Sequence, residues 1–384
     1  MKALETVRHL YCHVPFCAHK CDYCAFYSHR PAGELVDRYV DALVRELELV
    51  QPELEPKTIF FGGGTPSLLT LLQWNKVFAA MARLNLAGVK EWTVECNPAT
   101  VSADKARLLR EAGVNRISMG VQSLSAPLLE RLGRVHSRDM VFRSYDILRK
   151  AGFENINLDL MFGIPGQTIS IWRETLGEIL AMNPEHISSY EVIYEEDTPL
   201  FEQLQAGAFS VDEDLVCDMY DELLATVEGG GYQQYEIANF SRRAGADGGE
   251  LSCAHNINYW RGGSFHGLGP SAAGYIDGVR TKNWSNTTLY CEQLEKGKRA
   301  IESTEKLSSL GRAGEIAAFG LRMNAGWPRT EFHARTGYDL AVEWKPEIER
   351  LLSLGYGEFN SERLRLTRTG LRYADWVAEQ FLRN

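Results

Sequence analysis

The sequence predicts a parallel α/β fold, because short apolar, β-rich runs alternate with amphipathic helical stretches along its first half. Gly113 and Gly152 stand where two helices should end in a left-handed cap, and Ser102 and Ser137 stand at expected helix N-caps. Together these signals predict six strand–helix units, whose strands cover residues 8–14, 57–63, 91–97, 116–122, 155–163 and 186–194.

Charge and composition narrow the class of protein. The 384 residues carry 41 Lys and Arg against 51 Asp and Glu, a formal net charge of −10, which argues against a nucleic-acid backbone as the main partner. No long apolar run or signal-peptide segment is visible. Outside one N-terminal cluster, the cysteines are scattered, as in a reducing compartment. We therefore expect a cytoplasmic protein without a nucleic-acid partner.

Cys17, Cys21 and Cys24 form the most specific motif, with C-x3-C-x2-C spacing. Three thiolates at this spacing suit an iron–sulfur cube that is held at three of its four irons, which leaves the fourth open. The alternatives are buried thiols or a zinc site in which His13 or His19 supplies a fourth ligand. The spacing favours a [4Fe–4S] cluster with the three cysteines as metal ligands.

Polar residues follow the predicted strands. Residues 62–65 (Gly-Gly-Gly-Thr) end the second strand, and their backbone N–H groups are expected to face a ligand, although a tight turn is the simpler alternative. Glu95 and Gln122 end the third and fourth strands, and Asp159 interrupts the apolar fifth. A buried carboxylate needs a partner. The structural alternative is therefore that the two acids pair with Arg107, Arg116 or Arg134.

The string LYCHVPFCAHKCDYCAFYS, which surrounds the cysteines, resembles the radical S-adenosylmethionine (SAM) superfamily. Within it, the string is similar to the subgroup of anaerobic coproporphyrinogen dehydrogenases and HemW-type haem chaperones. The resemblance implies a partial (β/α)6 barrel with its site at the carboxyl ends of the strands. It also implies that SAM chelates the open iron of the cluster. One electron from the cluster would then cleave the sulfonium C–S bond of SAM and give a 5′-deoxyadenosyl radical.

The same resemblance implies roles for individual residues. The cysteines would bind iron, and SAM would be contacted by residues from several strand ends. These expected cofactor-binding residues are Tyr11, Tyr23, Gly63, Gly64, Thr65, Glu95, Gln122, Arg134 and Asp159.

Two departures separate the branches of the subgroup. The dehydrogenases usually carry a fourth cysteine, where this chain has Phe26, and a long extension, where it has ten residues before Tyr11. The segment from His255 to Trp260 matches the HNxxYW string of the HemW branch. His255 is therefore the expected axial haem ligand, with Cys253 as the alternative. Ala273 stands where relatives often supply another histidine.

A shift in composition near residue 240 predicts a radical SAM core over 1–240 and a second domain over 241–384. Residues 241–252 are predicted to form an exposed loop. From about residue 290 the chain is expected to be mostly helical, with a short β-ribbon near its end. The ribbon arginines are expected to protect a solvated edge rather than bind nucleic acid: Arg363, Arg365, Arg368 and Arg372.

The sequence therefore predicts a haem chaperone with a [4Fe–4S] cluster, SAM and haem, which passes haem to an unidentified acceptor protein, membrane-bound acceptors included. Two enzymatic alternatives remain open. One is oxygen-independent coproporphyrinogen III dehydrogenation, and the other is radical chemistry on haem or a related substrate.

Overall fold

The computed structural model describes residues 6–242 and 251–383. All six predicted strands are present and lie parallel, side by side in chain order. The α/β prediction is confirmed. The strands are β1 (Val7–Val14), β2 (Leu54–Gly63), β3 (Glu91–Cys96), β4 (Arg116–Gln122), β5 (Ile156–Phe162) and β6 (His186–Glu191).

The helices that connect these strands cover the outer face of the sheet, and their ends follow the predicted signals. Ser102 and Ser137 accept N-cap hydrogen bonds, and Gly113 and Gly152 have φ of +103° and +87°. The helices are α1 (Leu35–Val50), α2 (Leu71–Arg83), α3 (Ala103–Glu111), α4 (Ala126–Arg131), α5 (Arg138–Lys150) and α6 (Ile169–Met182).

The two faces of the sheet differ in polarity. In β4, Ile117 and Met119 point outward into the hydrophobic core, whereas Arg116 and Ser118 point inward and line a cavity. Parallel strands that are buried on both faces are usually apolar on both. The polar inner row therefore indicates that the barrel encloses a binding space rather than a packed core.

Across the described residues, the main sheet gains three strands that the sequence did not predict. β7 (Tyr232–Glu236) and β8 (Asn239–Arg242) form an antiparallel hairpin that pairs with β6, after helices α7 (Pro199–Gln205) and α8 (Glu213–Gly229). β9 (His266–Leu268) lies parallel to β1 at the other edge. Residues beyond 240 thus contribute to the sheet, and the division at 240 stays a prediction.

The C-terminal part is mostly helical with small antiparallel sheets and its own apolar core. One detail was wrong, because residues 301–303, the end of a stretch predicted to be helical (292–303), belong to a strand over 301–306. In the predicted loop, residues 243–250 lie outside the described residues. The elements are α9 (Ala254–Trp260), β10 (Ala273–Ile276), β11 (Val279–Asn283), α10 (Thr287–Glu295), β12 (Ile301–Lys306), α11 (Ser309–Gly320), β13 (Trp327–Pro328), α12 (Arg329–Thr336), α13 (Leu340–Glu343), α14 (Lys345–Ser353), β14 (Gly357–Phe359), β15 (Arg363–Leu366), α15 (Arg368–Arg372) and α16 (Ala374–Phe381).

The predicted ribbon contains two of its four arginines. Arg363 and Arg365 lie in β15, whereas Arg368 and Arg372 lie in α15, so the strand prediction was wrong for the latter pair. Glu358, Glu228 and Asp221 form ion pairs with Arg365, Arg368 and Arg372, respectively. The last two pairs join this end of the chain to α8. In the described part of the chain, no helix is long and apolar enough to cross a membrane.

Candidate functional site

The loop that carries the three cysteines follows β1 and lies at the carboxyl end of the strands. Backbone hydrogen bonds fix it on both sides: Cys17 N donates to His29 O (3.0 Å), and Asp22 N donates to Leu132 O (3.1 Å). Leu200 N, in the first turn of α7, donates to Asp22 O across 2.9 Å. The cysteine loop is therefore held by three separate parts of the chain.

Polar groups point at the cysteine sulfurs. Thr65 Oγ1 donates to Cys17 Sγ and Arg134 Nη1 donates to Cys21 Sγ, each across 3.5 Å. Burial raises the pKa of the Cys24 thiol. Donors aimed at sulfur are what a cluster-bound thiolate needs. The three half-buried thiols and their donors thus fit an iron–sulfur cluster as its ligand set.

A single-metal site is less well supported. Within residues 6–242 and 251–383, no three His, Cys, Asp or Glu side chains are arranged around one metal ion. An iron–sulfur cube does not require this, because each cysteine binds a different iron. His13, a possible zinc ligand, already bonds through both ring nitrogens, to Tyr11 OH (3.0 Å) and Tyr27 O (2.8 Å).

The glycine run packs against β1 and the cysteine loop. A Cβ on Gly63, whose φ is +104°, would lie 2.3 Å from the His13 ring, and one on Gly64 would lie 2.7 Å from the carbonyl oxygens of Val14 and Phe16. The expected free N–H donors are not there. Gly63 N donates to Glu95 Oε2 (3.1 Å), while the N–H groups of Gly64 and Thr65 donate to those two carbonyls of β1 and its loop.

Arg134 links the cysteine loop to the end of β4. Besides Cys21, its guanidinium donates to Gly120 O. Gln122, two residues further, has a φ of +64°, a conformation that a non-glycine residue adopts only under constraint. Tyr23 from the cysteine loop packs in a small apolar cluster with residues of β5 and α7. The structure thus brings Arg134 and Gln122 together at the end of β4, and it places Tyr23 in the apolar cluster with β5 and α7.

Glu95 and Asp159 both line a cavity of about 200 Å³ inside the barrel, together with Tyr11. Ser118 Oγ donates to Asp159 across 3.1 Å and Asn157 Nδ2 across 2.7 Å. Burial raises the pKa of Asp159, and burial next to that carboxylate raises the pKa of Glu95 to about 8. The barrel cavity is therefore a polar space with two acids that resist ionisation.

Several residues of the barrel cavity were not predicted. Arg116, 2% exposed, interacts electrostatically with both acids and so partly fulfils the structural alternative. Arg107 instead pairs with Asp104 on the surface. The available signal was the alternation of polar and apolar residues in β4 and in residues 156–160 of β5, which places the polar side chains on the cavity side. The lining residues that were not predicted to bind a cofactor are Phe60, Arg116, Ser118, Asn157, Ser188, Tyr190, Asn256 and Tyr259.

His255 lies at the amino end of the barrel, opposite the cysteines. It is 0% exposed, and both ring nitrogens have partners: Nδ1 bonds Thr58 Oγ1 and Nε2 bonds Tyr259 OH, each at 2.7 Å. Cys253 is equally buried, 3.5 Å from Glu91. That either residue binds haem iron stays a prediction. In this conformation, ligation by His255 would break a hydrogen bond.

Comparison with known proteins identifies the family. A model of the radical SAM superfamily matches residues 11–179, and one of the HemN C-terminal domain matches 307–373. Heme chaperone HemW of Bacillus subtilis is 34% identical over 380 residues, 97% of this chain and 98% of that protein. The chain belongs to the HemW family. HemW of Escherichia coli is also 34% identical, over 97% of each chain.

The HemW family also has animal relatives. Radical S-adenosyl methionine domain-containing protein 1, mitochondrial, from Mus musculus is 33% identical, over 95% of this chain and 85% of that protein. Among solved structures, coproporphyrinogen III oxidase (HemN) from Escherichia coli superposes with a TM-score of 0.85 over 99% of this chain and 91% of that one. At 21% identity this likeness shows the shared fold. Membership in the radical SAM superfamily implies a [4Fe–4S] cluster and SAM.

Proposed function

We propose that this protein is a haem chaperone, which binds haem and passes it to an acceptor protein. The observation that carries the proposal is the similarity to HemW heme chaperones over essentially the whole length, including the C-terminal domain. The similarity to HemW therefore covers both the barrel and the C-terminal domain of this chain.

The cysteine loop supports the cofactor part of the proposal. Cys17, Cys21 and Cys24 would hold the cluster, and the barrel cavity beside the strand ends would hold SAM. When bound, the two cofactors supply one electron and a cleavable C–S bond. The protein's own contribution is to fix the cysteine loop through Arg134 and Thr65 and to line the cavity with polar side chains, among them Glu95 and Asp159.

The haem site is less well defined than the proposed sites for the cluster and SAM. In the described conformation, the two candidate iron ligands, His255 and Cys253, are fully buried and each has a hydrogen-bond partner. The acceptor is proposed to be a haem-requiring protein, in the cytoplasm or at a membrane surface. The acidic net charge of −10 supports the absence of a nucleic-acid partner.

Coproporphyrinogen III dehydrogenation is the second candidate, because the fold matches HemN over nearly its entire length. One position speaks against it. Phe26, where the dehydrogenases usually have a further cysteine, is 68% exposed on the surface of the cysteine loop. At 21% identity, the likeness shows a shared fold and is not evidence of a shared activity.

One anaerobic experiment separates the two functions. The reconstituted protein is incubated with coproporphyrinogen III, SAM and a reductant, and the products are resolved by chromatography. In parallel, the protein is mixed with haem and passed through a gel-filtration column. We expect haem to co-elute with the protein and coproporphyrinogen III to remain intact. Decarboxylation to protoporphyrinogen, with no haem retained, would establish the enzyme instead.

A further inference from the structure

Helix α9, which carries the HNxxYW string, is inserted into the amino end of the barrel. Glu91, the first residue of β3, accepts its leading N–H groups: Ala254 N donates to Oε2 (2.8 Å) and His255 N to Oε1 (3.0 Å). The His255 ring stacks on Phe60 of β2 at 5.3 Å between ring centroids. These contacts make α9 the floor of the barrel cavity, at the end opposite the cysteines.

The last residues of the string face the other way, toward the C-terminal domain. The Arg322 guanidinium lies 5.2 Å from the centre of the Trp260 ring. Arg261 Nη1, one residue beyond α9, donates to Gly326 O across 2.8 Å, and its guanidinium lies over Trp327. The C-terminal domain therefore holds α9 in place from outside while His255 is held from inside.

The His255 ring connects two side chains that come from different elements. A chain of hydrogen bonds runs from His9 Nδ1 through Thr58 Oγ1 (2.8 Å) to His255 Nδ1 (2.7 Å), and from His255 Nε2 to Tyr259 OH (2.7 Å). The Tyr259 ring also packs against Phe265 at 4.5 Å. Tyr259 lines the barrel cavity with Tyr11 and Glu95. Its hydroxyl position is thus fixed by the Nε2 atom of His255.

We infer that His255 is a positioning residue, which holds the Tyr259 hydroxyl in the wall of the barrel cavity for contact with bound SAM, and that it does not bind haem iron. The inference rests on the proposed function in so far as the cavity is the SAM site. Tyr259 has two hydrogen-bonding capacities, as donor and as acceptor. His255 uses one, and the other is available to a cavity ligand.

The two nitrogens of His255 can be tested separately. An asparagine amide reaches about as far as Nδ1, and a glutamine amide about as far as Nε2. His255→Gln therefore keeps the bond to Tyr259, whereas His255→Asn keeps the bond to Thr58 and releases Tyr259. Neither amide replaces imidazole as a haem ligand. Tyr259→Phe removes the hydroxyl without altering the ring packing, and Ile257→Val on the same helix, outside the cavity lining, is the control.

The measurement is the SAM dissociation constant of the cluster-loaded protein, by anaerobic calorimetry, together with the haem Soret band of each variant. We expect His255→Asn and Tyr259→Phe to weaken SAM binding about tenfold, which is the worth of one buried hydrogen bond. His255→Gln and Ile257→Val should stay within about twofold of wild type, and all four variants should bind haem as wild type does.

Equal losses of SAM affinity in His255→Asn and His255→Gln, or unchanged affinity in Tyr259→Phe, would overturn the inference. So would a Soret band lost in both His255 variants and kept in Tyr259→Phe, because that pattern identifies an iron ligand. A wild type that binds no SAM would overturn the inference together with the SAM site. A wild type that binds SAM but not haem would overturn the chaperone function and leave the inference standing.

Discussion

The Arg134 guanidinium donates to Cys21 Sγ across 3.5 Å and, from its other nitrogen, to the carbonyl of Gly120 in β4. One side chain thus ties a cysteine of the loop to the end of a barrel strand. A guanidinium reaches both acceptors because its N–H donors lie in one plane and point in different directions. An ammonium group is a single point charge and cannot replace both contacts.

Replacing Arg134 with lysine should therefore loosen the cysteine loop. We expect Arg134→Lys to lose its cluster on exposure to air about ten times faster than wild type, since a charge-assisted hydrogen bond contributes about 1.5 kcal/mol. The decay of cluster absorbance measures this rate. Arg131→Lys is the matched control, because Arg131 is an exposed arginine of α4 that bonds Gln203. Equal decay rates in the two variants would contradict the role of Arg134.

The cluster ligands give the next prediction. Anaerobic reconstitution should yield about four irons per chain in wild type, and Cys21→Ala should abolish the cluster signal, because two thiolates are too few to hold the cube. Cys217→Ala should keep its iron, since Cys217 is exposed on α8, away from the loop. Zinc in place of iron in the wild type would show that the ligand set had been misread.

The raised pKa of Glu95 predicts that the stability of the protein depends on pH. Its pKa of about 8 in the folded protein exceeds the value of about 4.3 expected in the unfolded chain. Between these values the folded state holds a proton that the unfolded state has lost, so stability falls as pH rises. The stability that protonated Glu95 contributes to the folded state is fully present below about pH 4, and it is lost above about pH 8.

Glu95→Gln removes this titration. In urea unfolding between about pH 5 and pH 8, wild type should lose up to about 1.4 kcal/mol per pH unit relative to the variant. Parallel pH profiles for the two proteins would mean that Glu95 is ionised in the folded state at neutral pH.

Gly64 predicts a packing effect. An added Cβ would lie 2.7 Å from two backbone oxygens, which cannot move without shifting the end of β1 and the start of the cysteine loop. Gly64→Ala should lower the free energy of unfolding by about 2 kcal/mol or more. Gly177→Ala, at an exposed site in α6 with no atom within 4 Å of the new Cβ, should instead raise it by about 0.5 to 1 kcal/mol. Chemical denaturation of both variants checks the sign, and a neutral Gly64→Ala would rule out the tight contact.

The sequence predicted the barrel strands well because each combines a buried apolar row with a clear turn or cap signal. β7 and β8 were missed because YQQYE and NFSR are short and polar, and their strand state depends on pairing with β6. β9 was missed for a related reason. Its three residues form a strand through contact with β1, more than 250 positions away.

In the site, Glu95 and Asp159 were predicted because acids inside apolar strands are costly and therefore conspicuous. The use of the N–H groups in this run could not be predicted, since their partners are carbonyls of β1 and the cysteine loop and the Glu95 side chain. His255 shows the same limit. A motif gives the residue type, but only the packing of α9 into the barrel shows that both ring nitrogens are bonded.

The most direct test of the haem chaperone assignment is a titration of haem into the anaerobically reconstituted wild type, followed by the Soret band. We expect the band to saturate at about one haem per chain while the cluster absorbance is retained. A band that rises without saturation, or that matches free haem throughout, would contradict specific haem binding and with it the proposed function.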